Sequence, residues 1–190
     1  INGRHAAVSV VYAQTGAAGD RDGIAAFVVA LDAPGCTLSP LDSAFQQTSM
    51  GTGTIRLDQV RLPDDALLLP PGAAFRAILG EINGARTYVA AMGNGMLAAA
   101  LAAATAWGAE RHSFGRPLAG HQAWRLALAE AGVDLAASRA LTERAVATVA
   151  ADEGSAEAQR AAAQAKVFAT SACLRRLPAL MHAMGAEGLS

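Results

Sequence analysis

A run of 22 uncharged residues, TYVAAMGNGMLAAALAAATAWG at 87–108, restricts the fold of this chain more than any other feature. A stretch of that length is long enough to cross a bilayer or to serve as a buried helix. Its composition favours the helix of a soluble protein. Most of it is Ala and Gly, Asn94 sits near the centre, and Leu, Ile, Val and Phe are too few to drive insertion. Phe75, Ile78, Leu79, Ile82, Val89, Met92, Met96, Leu97, Leu101, Ala104 and Trp107 recur at steps of three and four. They predict one helix of roughly 35 residues, roughly 50 Å long at 1.5 Å per residue, buried on most sides. Gly84, Gly93 and Gly95 fall inside it. Each costs about 1 kcal/mol of helix propensity against Ala, so close approach of another backbone or a ligand is expected there.

The residues before this helix have a different period. HAAVSVVYAQT (5–15), IAAFVVALDAPGCTLSP (24–40) and GTIRLDQVRLP (53–63) are β-rich runs punctuated by Gly and Pro, the pattern of antiparallel sheet. In 53–63 the alternation slips between Leu57 and Val60, which a bulge would absorb. No helix-length pattern lies between these runs, which argues against parallel βαβ units. Pro70, Pro71 and Gly72 end the β part. After the first helix, apolar positions predict a second at 120–151 and a third at 156–184, with Ser155 as the N-cap of the third. The fold class is therefore α+β: an antiparallel β segment at 1–71, then an up-down helical bundle at 72–190. Three helices are most of such a bundle, and a fourth is expected outside the chain.

Charge and cysteine content exclude several functions. A formal net charge of −1 argues against non-specific nucleic-acid binding. Cys36 and Cys173 have no metal or redox spacing, and two buried free thiols in a reducing cytoplasm are expected. The three His of the helical part, His112, His121 and His182, lack metal-site spacing, and no metal is expected. MGTGT at 50–54 has no Lys and no following helix, so it is not a phosphate-binding loop. Ile1-Asn2-Gly3-Arg4 lacks the composition of a secretory leader and a starting Met, as an internal segment would.

Polar groups collect at one joint, ERHSFGRPLAGHQ at 110–122, between the first two helices. Arg111 suits a helix C-terminus, and Pro117 suits the approach to the next helix. Capping alone does not need Arg111, His112, Ser113, Arg116, His121 and Gln122 together. Guanidinium, hydroxyl and amide donors in that density point to a phosphate-bearing ligand.

The joint resembles the signature YAxxRxxFGxPLxxxQ of the acyl-CoA dehydrogenase family, read here from Trp107 through Arg111, Phe114, Gly115, Pro117 and Leu118 to Gln122. VRLPDDALL (60–68), INGAR (82–86), AKVFAT (165–170) and MHAMGAEG (181–188) resemble further family segments in the right order. The resemblance covers nearly the whole chain. It implies the second half of a β-barrel middle domain followed by three helices of a C-terminal bundle. It also implies FAD, a homotetramer built as a dimer of dimers, and a cytoplasmic enzyme. Such an enzyme oxidises an acyl-CoA or acyl-carrier thioester between Cα and Cβ. A carboxylate takes the α-proton, hydride passes to the flavin, and an electron-transfer flavoprotein or similar acceptor takes the electrons.

By position, Arg111, Ser113 and Phe114 resemble the residues that hold FAD across a dimer interface, with Arg111 and Ser113 on its pyrophosphate. His121 and Gln122 resemble a second flavin-contact pair. The turn from His182 through Gly185 to Ala186 resembles the one that meets the adenosine half of a neighbouring subunit's FAD. The family often has Gln-x-x-Gly-Gly there, and His182 and Ala186 depart from it. Asn83 and Arg86 resemble substrate-binding residues, with Asn83 where Asp is common. The resemblance supplies no catalytic residue within the chain. Ala85 stands where a minority of members carry the base, and most carry a Glu that would lie beyond Ser190. Glu81, Glu110 and Glu130 do not match a base position. Two further readings share the resemblance: a flavin-dependent monooxygenase or oxidase of the same fold, and a non-catalytic flavin-binding or structural subunit.

Overall fold

The computed structural model describes residues 3, 5–41 and 51–189. The opening tetrapeptide apart from Gly3, and Met50 of MGTGT, lie outside the described residues. Two compact units are present, Ile1–Ile78 and Leu79–Ser190.

The first unit is antiparallel sheet. β1 (Val8–Gln14) pairs with β2 (Ile24–Ala30), from Val8 opposite Ala30 to Gln14 opposite Ile24. β3 (Cys36–Pro40) and β4 (Gly53–Leu57) form a separate two-stranded sheet. The short β5 (Leu67–Leu69) lies on the far side of β2, with a register shift at Ala26 and Phe27. Ala25, Ala26, Val29 and Leu31 supply the buried side chains of β2 and its exit. The bulged strand expected over 53–63 does not form, because the chain leaves the sheet at Leu57. Gln59 has φ 52°, outside the strand region, and the Asp58 N–H donates to the Gly35 carbonyl at 2.9 Å.

Three long helices dominate the rest: α1 (Ala74–Glu110), α2 (Gln122–Ala151) and α3 (Ala156–Met184). Their order and lengths follow the apolar periodicity. The up-down arrangement is read from the contacts. Asn83 of α1 meets Glu153 after α2, and Asn94 meets Thr142, so α1 and α2 run antiparallel. α2 and α3 are joined by a four-residue turn in which Ser155 Oγ accepts from the Ala158 N–H at 3.0 Å, capping α3. Arg176 of α3 holds α2 through Asp134 Oδ2 at 2.7 Å and through Glu130. The fold class expected from the sequence, antiparallel strands and then an up-down bundle, is the one observed.

The bundle core is made largely of alanine. Ala131, Ala145, Ala158, Ala161, Ala162, Ala165, Ala169 and Ala172 are buried, with Leu97, Leu135 and Leu180 as the larger members. Methyl groups alone let helix backbones approach closely. At Gly93 of α1 an added Cβ would stand 3.3 Å from the Cys173 sulfur, whose thiol donates to the Gly93 carbonyl at 3.2 Å. Burial pushes that thiol's pKa up, away from the reactive thiolate.

Three expectations need correction. α1 is long and apolar enough to cross a membrane, yet only 28 % of its most apolar stretch is buried within the chain. It is buried along one stripe, not on most sides, because α2 and α3 cover that stripe alone; Tyr88, Val89, Met92 and Met96 stay exposed. Gly84 and Gly95 face open space, so of Gly84, Gly93 and Gly95 only Gly93 meets a neighbour. Both cysteines are free, but each is only half-buried, Cys36 at the start of β3 in the two-stranded sheet and Cys173 against Gly93 of α1.

Candidate functional site

The joint is not a plain turn between helices. Arg111 N–H donates to the Trp107 carbonyl at 2.8 Å and ends α1. The chain then forms a miniature hairpin, β6 (His112–Ser113) against β7 (Arg116–Pro117), closed by the Leu118 N–H on the Arg111 carbonyl at 2.8 Å. Its two-residue loop is Phe114 at φ 49° and Gly115 at φ 77°. Both are positive, as a type I′ turn requires. Glycine adopts this region freely and phenylalanine does not. Phe114 is 95 % exposed at the tip.

His121 stitches the hairpin to the start of α2. Its Nε2 donates to the Ser113 carbonyl at 3.1 Å, and its Nδ1 accepts from Arg116 Nη2 at 3.3 Å. That pairing assigns the proton to Nε2. The Phe114 ring stands edge-on to the imidazole, centroids 6.5 Å apart. Under the joint, Trp124 packs against Gly108, where any Cβ would fall 2.0 Å from the indole. Gln122 is the first residue of α2 and is exposed.

Beside the hairpin lies a cleft of about 440 Å³, walled by Trp107, Arg111, Ser113 and Leu118 on one side and by 182–187 on the other. That volume suits a small-molecule ligand. The second wall exists because α3 stops at Met184 and Gly185, at φ 67°, turns the chain into a short 3-10 segment. Arg111, Ser113, His182, Gly185 and Ala186, which are far apart in sequence, therefore share one cleft. Arg111 belongs to no ion pair among the described residues. A larger groove between α2 and α3 offers no comparable charge. Its Arg144 is paired with Glu157 at 3.4 Å and its Arg175 with Asp134 at 3.3 Å.

Asn83 and Arg86 lie elsewhere. Asn83 precedes Arg111 by 28 positions along one helix, roughly 42 Å at about 1.5 Å per residue. Asn83 is 3 % exposed, and both ends of its amide are engaged. Nδ2 donates to the Glu153 carbonyl at 2.9 Å, and Oδ1 accepts from Arg86 Nη1 at 3.0 Å. Among the described residues no cluster of His, Cys, Asp and Glu has metal-binding geometry.

Trp107, Leu118 and Glu187 also line the cleft, and sequence reasoning did not single them out for it. The donor-rich joint was visible, but the hairpin that shapes it was not. Phe-Gly is not one of the Asn-Gly or Asp-Gly pairs that announce a type I′ turn.

A helical bundle of this connectivity, with an arginine-bearing cleft where α1 and α3 end, defines a recognisable class. Residues 72–190 match the family model of the acyl-CoA dehydrogenase C-terminal domain, and the chain belongs to the acyl-CoA dehydrogenase family. It is 34 % identical over 190 residues to glutaryl-CoA dehydrogenase of Desulfococcus multivorans, covering all of this chain and 48 % of that protein. It is 32 % identical over 144 residues to bovine mitochondrial short-chain specific acyl-CoA dehydrogenase, covering 76 % of this chain and 35 % of that one. Butyryl-CoA dehydrogenase from Megasphaera elsdenii superposes with a TM-score of 0.90 at 28 % identity, over the whole chain and 49 % of the other. The chain spans less than half the length of each of these relatives.

Proposed function

We propose that this chain is a segment of an FAD-dependent acyl-CoA dehydrogenase that introduces an α,β double bond into an acyl thioester. The observation that carries the reading is the shared cleft. Arg111 and Ser113 from the joint face the turn 182–186, and the guanidinium has no carboxylate partner among the described residues. A planar, permanently charged donor fork without an ion pair, beside a hydroxyl, fits a pyrophosphate. The turn holding His182, Gly185 and Ala186 fits the adenosine end of the same cofactor. When bound, the flavin accepts the hydride that the acyl thioester loses.

Within the chain, Asn83 and Arg86 serve a different place from Arg111. Their separation of roughly 42 Å along α1 is too great for both ends to attend one substrate, so Arg111 serves the cofactor of a second chain. Phe114 at the hairpin tip, with His121 and Gln122, completes that contact. The exposed Tyr88, Val89, Met92 and Met96 of α1 suit burial against other helices better than contact with water. These features support a homotetramer arranged as a dimer of dimers, and family membership supports a cytoplasmic enzyme, not membrane-spanning, that passes electrons to an electron-transfer flavoprotein or similar acceptor. The proton-abstracting carboxylate is not in this chain, since Ala85 offers only a methyl group.

Arg111→Ala in the intact protein tests the reading. It removes a charge-assisted contact worth on the order of 1.5–3 kcal/mol, so FAD should separate from the protein during gel filtration. Retention of FAD at wild-type stoichiometry would remove Arg111 from the cofactor site.

A further inference from the structure

The cleft carries a second charge that the dehydrogenase reading leaves idle. Glu187 lines it together with Arg111. Both side chains are exposed, and neither belongs to an ion pair among the described residues, so their charged atoms are more than 4.0 Å apart. The turn that presents Glu187 is tightly seated. A Cβ at the next residue, Gly188, would fall 2.3 Å from the Met181 carbonyl oxygen, so 185–189 folds directly onto the end of α3. Opposite charges that share a cleft without neutralising each other both remain open to a ligand.

A carboxylate only accepts hydrogen bonds, so its counterpart on the ligand must be a donor and not a phosphate. Two carboxylate oxygens match two vicinal hydroxyls, and an acidic side chain on a ribose hydroxyl recurs in dinucleotide sites. We propose that Glu187 is a specificity-determining residue of this cleft, its carboxylate accepting from the ribose hydroxyls of a nucleoside diphosphate while Arg111 holds the diphosphate. The same charge rejects a nucleotide phosphorylated on that sugar, through like-charge repulsion. This rests on the reading that the cleft takes the adenosine-diphosphate half of FAD, and adds which group on that half is recognised.

The test is calorimetric titration of the intact protein, stripped of flavin, with ADP, 2′-deoxy-ADP and 2′-phospho-ADP. Wild type should bind ADP at least about 10-fold more tightly than 2′-deoxy-ADP, the scale of one hydrogen bond to a charged group, and should bind 2′-phospho-ADP more weakly still. Glu187→Ala should bring ADP and 2′-deoxy-ADP to within about twofold of each other. Glu187→Gln keeps the shape without the charge, and should recover 2′-phospho-ADP binding even if the Ala variant folds poorly. Arg111→Ala should weaken all three nucleotides together. If wild type binds ADP, Arg111→Ala weakens it and the Glu187 variants keep wild-type discrimination, Glu187 has no such role and the cleft reading stands. If wild type discriminates against neither analogue, the Glu187 role is likewise overturned. If wild type binds no ADP, the cleft reading itself fails and Glu187's role fails with it.

Discussion

Asn94 should be the costliest polar residue of the bundle to lose. It is 8 % exposed in the middle of α1. Its Nδ2 donates to Thr142 Oγ1 at 3.0 Å, its Oδ1 accepts from Ser138 Oγ, and Thr142 Oγ1 donates to the Ser138 carbonyl at 2.8 Å. Asn94→Ala removes two hydrogen bonds, each worth about 1 kcal/mol net, and strands the almost fully buried Ser138 hydroxyl, which adds about 1–3 kcal/mol. The sum is about 2 kcal/mol if Ser138 turns back to a carbonyl of its own helix, and about 3–5 kcal/mol if it stays unsatisfied. Ser138→Ala alone should cost about 1 kcal/mol, and the double variant should cost less than the two singles added. Asn94→Leu combined with Ser138→Ala and Thr142→Val removes every partner at once and should come out near neutral. Urea unfolding of each variant, with unchanged m-values, is the assay. A loss below about 0.5 kcal/mol for Asn94→Ala, or a triple variant as unstable as the singles added together, would refute the reasoning.

Three further outcomes are expected. Gly108→Ala drives a methyl into the Trp124 ring, so it should destabilise by about 1–3 kcal/mol and shift tryptophan emission; an unaltered urea midpoint and spectrum would contradict the packing. The hydrogen bond from Arg176, with help from Arg175, holds the Asp134 carboxyl below the ordinary carboxylate range. A depressed folded pKa adds stability that is complete above the unfolded value of about 3.9 and is lost as pH falls through the lowered one. Asp134→Asn should therefore flatten the acid limb of a stability–pH curve below about pH 4, and an unchanged limb would deny the pair that role. Glu81→Gln should leave flavin bleaching by acyl-CoA intact, whereas loss of bleaching with FAD still bound would put the catalytic base on α1.

Helix lengths were legible because a period of three to four persists over roughly 30 residues in each, and local caps such as Ser155 mark the edges. The sheet was legible as antiparallel but not in its extents. Leu57 to Val60 preserves enough alternation to imitate a bulged strand, while the backbone turns at Gln59 beside the hydrogen bond from Asp58 to Gly35, 23 positions away. Burial of α1 was misjudged for a related reason. Ala and Gly make all sides of a helix look alike in sequence, so the pattern cannot say which side is covered. The joint's donors were visible as composition. Their meeting with His182, Gly185 and Ala186 depends on the end of α3 returning to the end of α1, which only the antiparallel packing supplies.

The alanine face of α3 bears on how this unit responds to temperature. An alanine has no rotamers to freeze, so burying it costs no side-chain entropy, but it removes little apolar surface from water. The heat-capacity change of unfolding grows with the apolar surface exposed. With Ala158, Ala161, Ala162, Ala165, Ala169 and Ala172 where larger side chains would otherwise sit, the bundle should fall below the usual 12–15 cal/mol/K per residue, a value of roughly that order for ordinary cores. Its free-energy curve is then broad and shallow: the margin against unfolding is modest at its peak and declines slowly on cooling as well as on warming.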